Sequence, residues 1–124
     1  RLRNVPGARE IMIENEFVFT EPENMAGTWK EVFGNNNPVR IEIGMGKGRF
    51  ITTLAHMNPD INYIGIEKYS SVLLRAVEKQ DELRLSNLRF IRMDAENIGD
   101  VFAKGEVEGY ILIFLTHGQK TDVL

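Results

Sequence analysis

Residues 39–50 read Val-Arg-Ile-Glu-Ile-Gly-Met-Gly-Lys-Gly-Arg-Phe, a β-branched run that meets a carboxylate and then three alternating glycines, Gly44, Gly46 and Gly48. A short run rich in Val and Ile and bounded by glycine predicts a buried strand. Glycine lacks a Cβ, so at the turn that follows the backbone can take positive φ and let a ligand approach closely. Glu42 sets a negative charge beside that turn. A carboxylate there favours a ligand that presents a cationic group and repels one that lays a pyrophosphate on the turn.

Spacing excludes two common glycine motifs. A dinucleotide fingerprint requires glycine at the first, third and sixth positions, and counting from Gly44 the sixth position is Arg49. A phosphate-binding P-loop requires Gly-Lys followed by Ser or Thr, whereas Lys47 is followed by Gly48. Alone, the three glycines are also compatible with a plain tight turn.

The next strands add the chemistry. Asn62-Tyr-Ile-Gly-Ile-Glu67 is a second apolar run that ends on an acid, with a helix-like segment between it and the glycines. This is the spacing at which an acidic residue meets ribose hydroxyls, and ionised Glu67 can accept from both of a vicinal pair. A solvated carboxylate at a strand end is the alternative. Leu88-Arg-Phe-Ile-Arg-Met-Asp94 repeats the pattern, with Ala95-Glu96-Asn97 behind it. Three consecutive strands therefore bring Glu42, Glu67 and Asp94 to one edge.

Alternation of strand-like and helix-like segments predicts strands at 39–43, 61–66, 88–93 and 108–114, with helices at 47–57, 70–84 and, shorter, 98–103. Ser70 or Ser71 is placed to cap the second helix, where Val72, Leu73, Ala76, Val77 and Leu83 recur at helical spacing as core. The pattern implies a parallel, doubly wound α/β sheet whose ligand lies at the carboxyl ends of its strands. The last strand should pair beside the first. Before the sheet, residues 1–37 read as an arm and linker: Arg1, Arg3 and Arg9 are basic, residues 10–19 mix apolar and acidic types, and residues 22–27 read as a link. Trp29, Val32 and Phe33 stand at helical spacing and are expected to pack on the domain rather than stack on bases.

The chain of 124 residues carries 15 Lys and Arg against 18 Asp and Glu, a net charge of −3, so general basicity does not suit it to coating RNA and any RNA contact must be local. It has no cysteine, hence no disulfide framework and no Cys-based metal site. His56 and His117 have no ligand-spaced partners, and no metal is expected. No apolar run reaches the roughly 18 residues of a membrane span and no leader-like segment opens the chain, so no membrane partner is expected and the cytoplasm is the expected location.

The segments Ile41-Glu-Ile-Gly-Met-Gly-Lys-Gly-Arg-Phe50, Asn58-Pro-Asp-Ile-Asn-Tyr-Ile-Gly-Ile-Glu67, Met93-Asp-Ala-Glu-Asn97 and Gly105-Glu-Val-Glu108 resemble the bacterial tRNA (guanine-N7-)-methyltransferase family over nearly all of residues 1–112. The resemblance implies a Rossmann-like class I methyltransferase fold, S-adenosylmethionine as cofactor and tRNA as partner. It implies that Glu42 lies beside the methionine end of the cofactor, that Gly44, Gly46 and Gly48 form the binding turn, that Glu67 binds the ribose, and that Asp94 and Ala95 meet the adenine. Glu67 is often Asp in that family; the carboxylate is kept.

The family's substrate pocket follows the fourth strand in an Asn-Phe-Ser-Asp-Pro-Trp-Pro-Lys motif. This chain instead has Ile113-Phe-Leu-Thr-His-Gly-Gln-Lys120. Removing one base from codons for Leu-Asn-Phe-Ser-Asp-Pro-Trp-Pro-Lys-Asp-Arg yields Leu-Ile-Phe-Leu-Thr-His-Gly-Gln-Lys-Thr and a start compatible with Asp, which is the run from Leu112 to Asp122. The expected organisation is therefore an arm and linker at 1–37, a cofactor-binding half-domain at 38–114, and an out-of-frame tail at 115–124. Three functional readings follow: the cofactor-binding half of a tRNA methyltransferase, with no catalytic residue of its own; a non-catalytic fragment that binds the cofactor; and a methyltransferase of small molecules, which the tRNA-family segments disfavour.

Overall fold

The structure, a computed structural model, describes residues 5–111. Five parallel strands form one sheet: β1 (Val18–Phe19), β2 (Val39–Ile43), β3 (Asn62–Glu67), β4 (Leu88–Arg92) and β5 (Gly109–Ile111), in the order β1-β4-β3-β2-β5. The chain steps outward from β2 to β3 to β4 and then returns to the other side of β2, so the direction reverses at β2. Ligands of open α/β sheets bind outside the carboxyl ends of the strands at such a reversal. The register sets Glu42 opposite Gly65 on one neighbour and opposite Ile111 on the other.

Period-two alternation sends side chains to two cores. On one face Tyr63, Leu88, Phe90 and Ile111 pack with α1 (Ala8–Glu14), α3 (Arg49–Met57) and α4 (Ser70–Leu83) through Met12, Ile51, Ala55, Leu73, Ala76 and Val77. On the other, Val39, Ile41, Ile64, Ile66 and Ile91 pack with Val101 and with Trp29, the first residue of α2 (Trp29–Phe33). With helices on both faces the sheet is doubly wound. Burying a side chain of this size contributes roughly 1.5–3 kcal/mol each, so the two faces supply the main stabilising term.

The segment before β2 is built into this unit rather than hung from it. β1 pairs with β4, and Met12, Phe17 and Trp29 are buried. Residues 22–27, expected to form a link, contain a 3-10 turn (Pro22–Asn24) with Pro22 buried. The Glu106 carboxylate accepts from the backbone N–H groups of Gly27, Trp29 and Ala103, at 2.8, 3.1 and 2.8 Å, and the Trp29 indole N–H donates to the Val101 carbonyl at 2.8 Å. The bonds that reach from residues 27 and 29 to residues 101 and 106 are long-range and have no local sequence signal. Val32 and Phe33 pack against the same core as Trp29, as their spacing predicts.

Other expectations shift in detail. Neither serine caps α4: Tyr69 holds the cap position with no side-chain bond, and Ser71 Oγ instead accepts from the Val5 N–H at 2.8 Å. On that helix Leu83 is exposed and Gln80 is buried, its amide satisfied on backbone groups of Leu85 and Leu88. The short helix forms as a 3-10 turn, Ala95–Asp100, three residues earlier than expected. His56 is exposed on α3. The proposed tail, with His117, lies outside the described residues.

Candidate functional site

The glycine turn leaves β2 and is pinned over the end of β3. The N–H groups of Gly44 and Met45 both donate to the Ile66 carbonyl, at 2.9 and 3.1 Å, and the Gly46 N–H donates to Glu67 Oε1 at 3.0 Å. The chain can fold back this tightly because Gly44, Gly46 and Gly48 take φ of 69°, 60° and 76°, a region that disfavours any residue with a Cβ. Their surroundings differ. A Cβ on Gly44 or Gly46 would meet no atom of the described residues within 4 Å, whereas one on Gly48 would lie 2.7 Å from the Ala76 Cβ and 2.9 Å from Met45 Cε. Gly44 and Gly46 thus face open space, and Gly48 is where α3 approaches α4.

Beside the turn lies a cavity of about 290 Å³ lined by Ile43, Gly44, Ile66, Glu67, Lys68, Tyr69, Met93, Asp94 and Ala95. Four of the sequence-derived candidates line it together: Gly44, Glu67, Asp94 and Ala95. Gly46 joins them through its bond to Glu67. Glu42 does not line the cavity; it is buried within β2, only 1% exposed. Gly48 is likewise outside, committed to helix packing.

Glu67 is 9% exposed and its other oxygen, Oε2, accepts from the Tyr69 N–H at 3.2 Å. Both carboxylate oxygens are therefore oriented by backbone amides on either side of the cavity, and each retains a lone pair for a further donor. Asp94 Oδ1 accepts from the Glu96 N–H at 3.0 Å, capping the 3-10 turn, while Oδ2 stands 3.9 Å from Lys68 Nζ. The Lys68 ammonium also sits 5.0 Å from the centre of the Tyr69 ring. The Tyr69 side chain first, and then Asp94, hold the Lys68 pKa above the ordinary lysine value. Lys68, Tyr69, Ile43 and Met93 were not marked as candidates by the sequence, although the pair Lys68-Tyr69 directly follows the strand-end acid.

The donor set defines what the cavity can hold. Ile43, Ile66, Met93 and Ala95 provide apolar surface, Glu67 and Asp94 provide acceptors, and the volume is near the lower limit of about 300 Å³ usual for small-molecule pockets. A flat heteroaromatic group carrying hydroxyl or amine donors fits that combination; a phosphate, facing two carboxylates, does not. Among the described residues, no group of three or more His, Asp or Glu side chains could hold a metal ion, and no helix is long and apolar enough to cross a membrane.

Comparison with known proteins gives a family by sequence and a fold by structure. Residues 36–115 match the family model described as "Putative methyltransferase". A tRNA (guanine-N(7)-)-methyltransferase of Lachnoclostridium phytofermentans is 62% identical over 114 residues, covering 92% of this chain and 53% of the relative. A solved antibiotic-related methyltransferase aligns with a TM-score of 0.57 at 27% identity, over 69% of this chain and 44% of its own. A methyltransferase of Streptococcus mutans, solved with SAH, aligns with a TM-score of 0.52 over 72% of this chain and 49% of its own; at 16% identity it speaks to the fold alone. The chain spans about half the length of the curated relatives it matches.

Proposed function

The chain belongs to the bacterial tRNA (guanine-N7-)-methyltransferase family, and we propose that it is the S-adenosylmethionine-binding half of such an enzyme, acting on tRNA in the cytoplasm. The observation that carries this reading is the cavity in which Gly44, Glu67, Asp94 and Ala95, from three separate segments, meet at the carboxyl ends of the strands.

The cavity suits the nucleoside part of that cofactor. Glu67, oriented by the Gly46 and Tyr69 amides, accepts from ribose hydroxyls, and charge-assisted bonds of this kind are worth on the order of 1.5–3 kcal/mol. Asp94 and Ala95 lie where the adenine would be met, between the apolar side chains of Ile43, Ile66 and Met93. The open space over Gly44 and Gly46 leaves room for the rest of the molecule, with Glu42 toward its methionine end.

When bound, the cofactor supplies an electrophilic methyl group on a sulfonium. Guanine N7 offers a lone pair and carries no proton, so the acceptor needs positioning rather than a general base. For this chain the consequence is that no catalytic side chain is required among residues 38–114; their work is to hold and orient. Residues 115–124 are, in this reading, the out-of-frame tail, and sequencing the gene tests it: one inserted base near codon 113 should reopen a frame encoding Asn-Phe-Ser-Asp-Pro-Trp-Pro-Lys.

Incubation with radiolabelled S-adenosylmethionine and unmodified tRNA tests the function itself. Label recovered as N7-methylguanosine supports a competent enzyme. Binding of S-adenosylhomocysteine without transfer supports the cofactor-binding fragment, and absence of both refutes the proposal.

A further inference from the structure

A second cavity, about 570 Å³ and so larger than the one at the strand ends, lies in a groove between α3 and α4 lined by Lys47, Gly48, Arg49, Thr52, Thr53, Arg75 and Lys79. Among the described residues it is lined by four cations and no carboxylate, in a chain whose net charge is −3. Concentrating this much positive charge in one groove is unfavourable unless an anion shares it.

The cations are available. Among the described residues Arg75 and Lys79 pair with Glu78 and Glu82 on their own helix, each at 3.8 Å and well exposed to water, where such pairs hold weakly. Lys47 and Arg49 make no ion pair among the described residues. A second observation is independent of charge. Thr52 is 7% exposed, and its Oγ1 has no hydrogen-bond partner among the described residues although it lines the groove. Its neighbour Thr53 satisfies itself on the Arg49 carbonyl at 2.9 Å. A buried hydroxyl without a partner costs free energy, which rotation of the side chain toward a ligand oxygen in the groove would recover.

We infer that this groove binds phosphate groups of the substrate RNA backbone, with Arg49 and Lys47 from one side, Arg75 and Lys79 from the other, and the Thr52 hydroxyl turning from its buried position to donate at its edge. The inference rests on the reading of the chain as an RNA methyltransferase. Arg75 and Lys79 are one helical turn apart and Arg49 belongs to the facing helix, so the charge is spread along the groove, which suits a strand with successive phosphates better than one small anion. The groove also begins where the cofactor cavity ends: Gly44 lines one and Lys47 and Gly48 line the other, on the same turn.

The test is fluorescence anisotropy of labelled, unmodified tRNA on the full chain, from about 50 to 200 mM salt, for wild type, Arg75→Gln/Lys79→Gln and Thr52→Val. Removing two cations that each neutralise a phosphate should lower the slope of log affinity against log salt by about 1.5–2. Thr52→Val should weaken RNA binding several-fold while leaving the melting temperature unchanged or raised, an outcome that a purely structural role would not produce. An unchanged slope in the double variant overturns the inference, as does wild-type RNA binding that is absent or independent of salt. So does binding of inorganic phosphate by the wild type alone with RNA affinity equal in both proteins. Titration of S-adenosylhomocysteine into the same samples separates the two failures: retained binding with an unmoved slope removes the groove and leaves the family reading, whereas its loss in wild type removes that reading.

Discussion

The two sides of the glycine turn are chemical opposites. On one side the cavity at the strand ends is acidic and partly apolar, with Glu67 and Asp94 as acceptors; on the other the groove between α3 and α4 is cationic, with a buried threonine hydroxyl at its edge. A single short turn separates the two. The difference teaches how one loop can shape two surfaces: Gly44 and Gly46 are left-handed and open, while Gly48 is left-handed and closed against Ala76, where two helices meet.

The sharpest way to break this contrast is to add the same methyl group on each side. Gly48→Ala combines a left-handed alanine with a Cβ 2.7 Å from that of Ala76, and should destabilise the fold by about 2–4 kcal/mol in urea melts. Gly46→Ala carries the backbone strain alone, about 1–2 kcal/mol. Equal losses would mean that the helices do not close on Gly48. Next in size, Asp94→Ala removes the cap on the Glu96 N–H, costing about 1 kcal/mol of stability, and should weaken S-adenosylhomocysteine while leaving the salt slope of RNA binding untouched. A change in that slope would join the cavity and the groove into one site.

The smallest effect concerns Lys68. Its pKa is raised, by Tyr69 first and then Asp94, so the stability that its charge contributes is fully present below the unfolded lysine pKa and is lost only as pH rises through the still higher folded value. Cofactor affinity should therefore not change on account of Lys68 between pH 7 and about 9, and Lys68→Met should alter affinity by less than about twofold, because the pair with Asp94 is long and exposed. A steep decline in wild-type affinity over that range, abolished in Lys68→Met, would contradict this.

The acidic side was legible because its residues announce themselves locally: each acid closes a short apolar run, and the glycines follow one strand directly. The basic groove was not, since Lys47 and Arg49 are far in sequence from Arg75 and Lys79 and become neighbours only when α3 docks on α4 at Gly48. The same reason hid the amino-terminal segment. Nothing near Glu106 tells that its carboxylate will meet the amides of Gly27 and Trp29, and a two-residue strand such as Val18–Phe19 has no periodicity to detect. Pairing of β5 beside β2, by contrast, followed from the doubly wound pattern and is found. Glu42, one residue short of the strand end, is buried and does not line that cavity.

The central claim is that the acidic cavity holds the nucleoside of S-adenosylmethionine through Glu67. Calorimetric titration of S-adenosylhomocysteine into wild type and Glu67→Gln, side by side, tests it most directly. Gln can still accept from one backbone amide and keeps the volume, so the fold should survive, yet the loss of charge should weaken binding by on the order of 1–2 kcal/mol, roughly tenfold. Saturable binding in wild type with that loss in the variant is the predicted result; equal affinity in the two proteins, or no binding to a folded wild type, would contradict it.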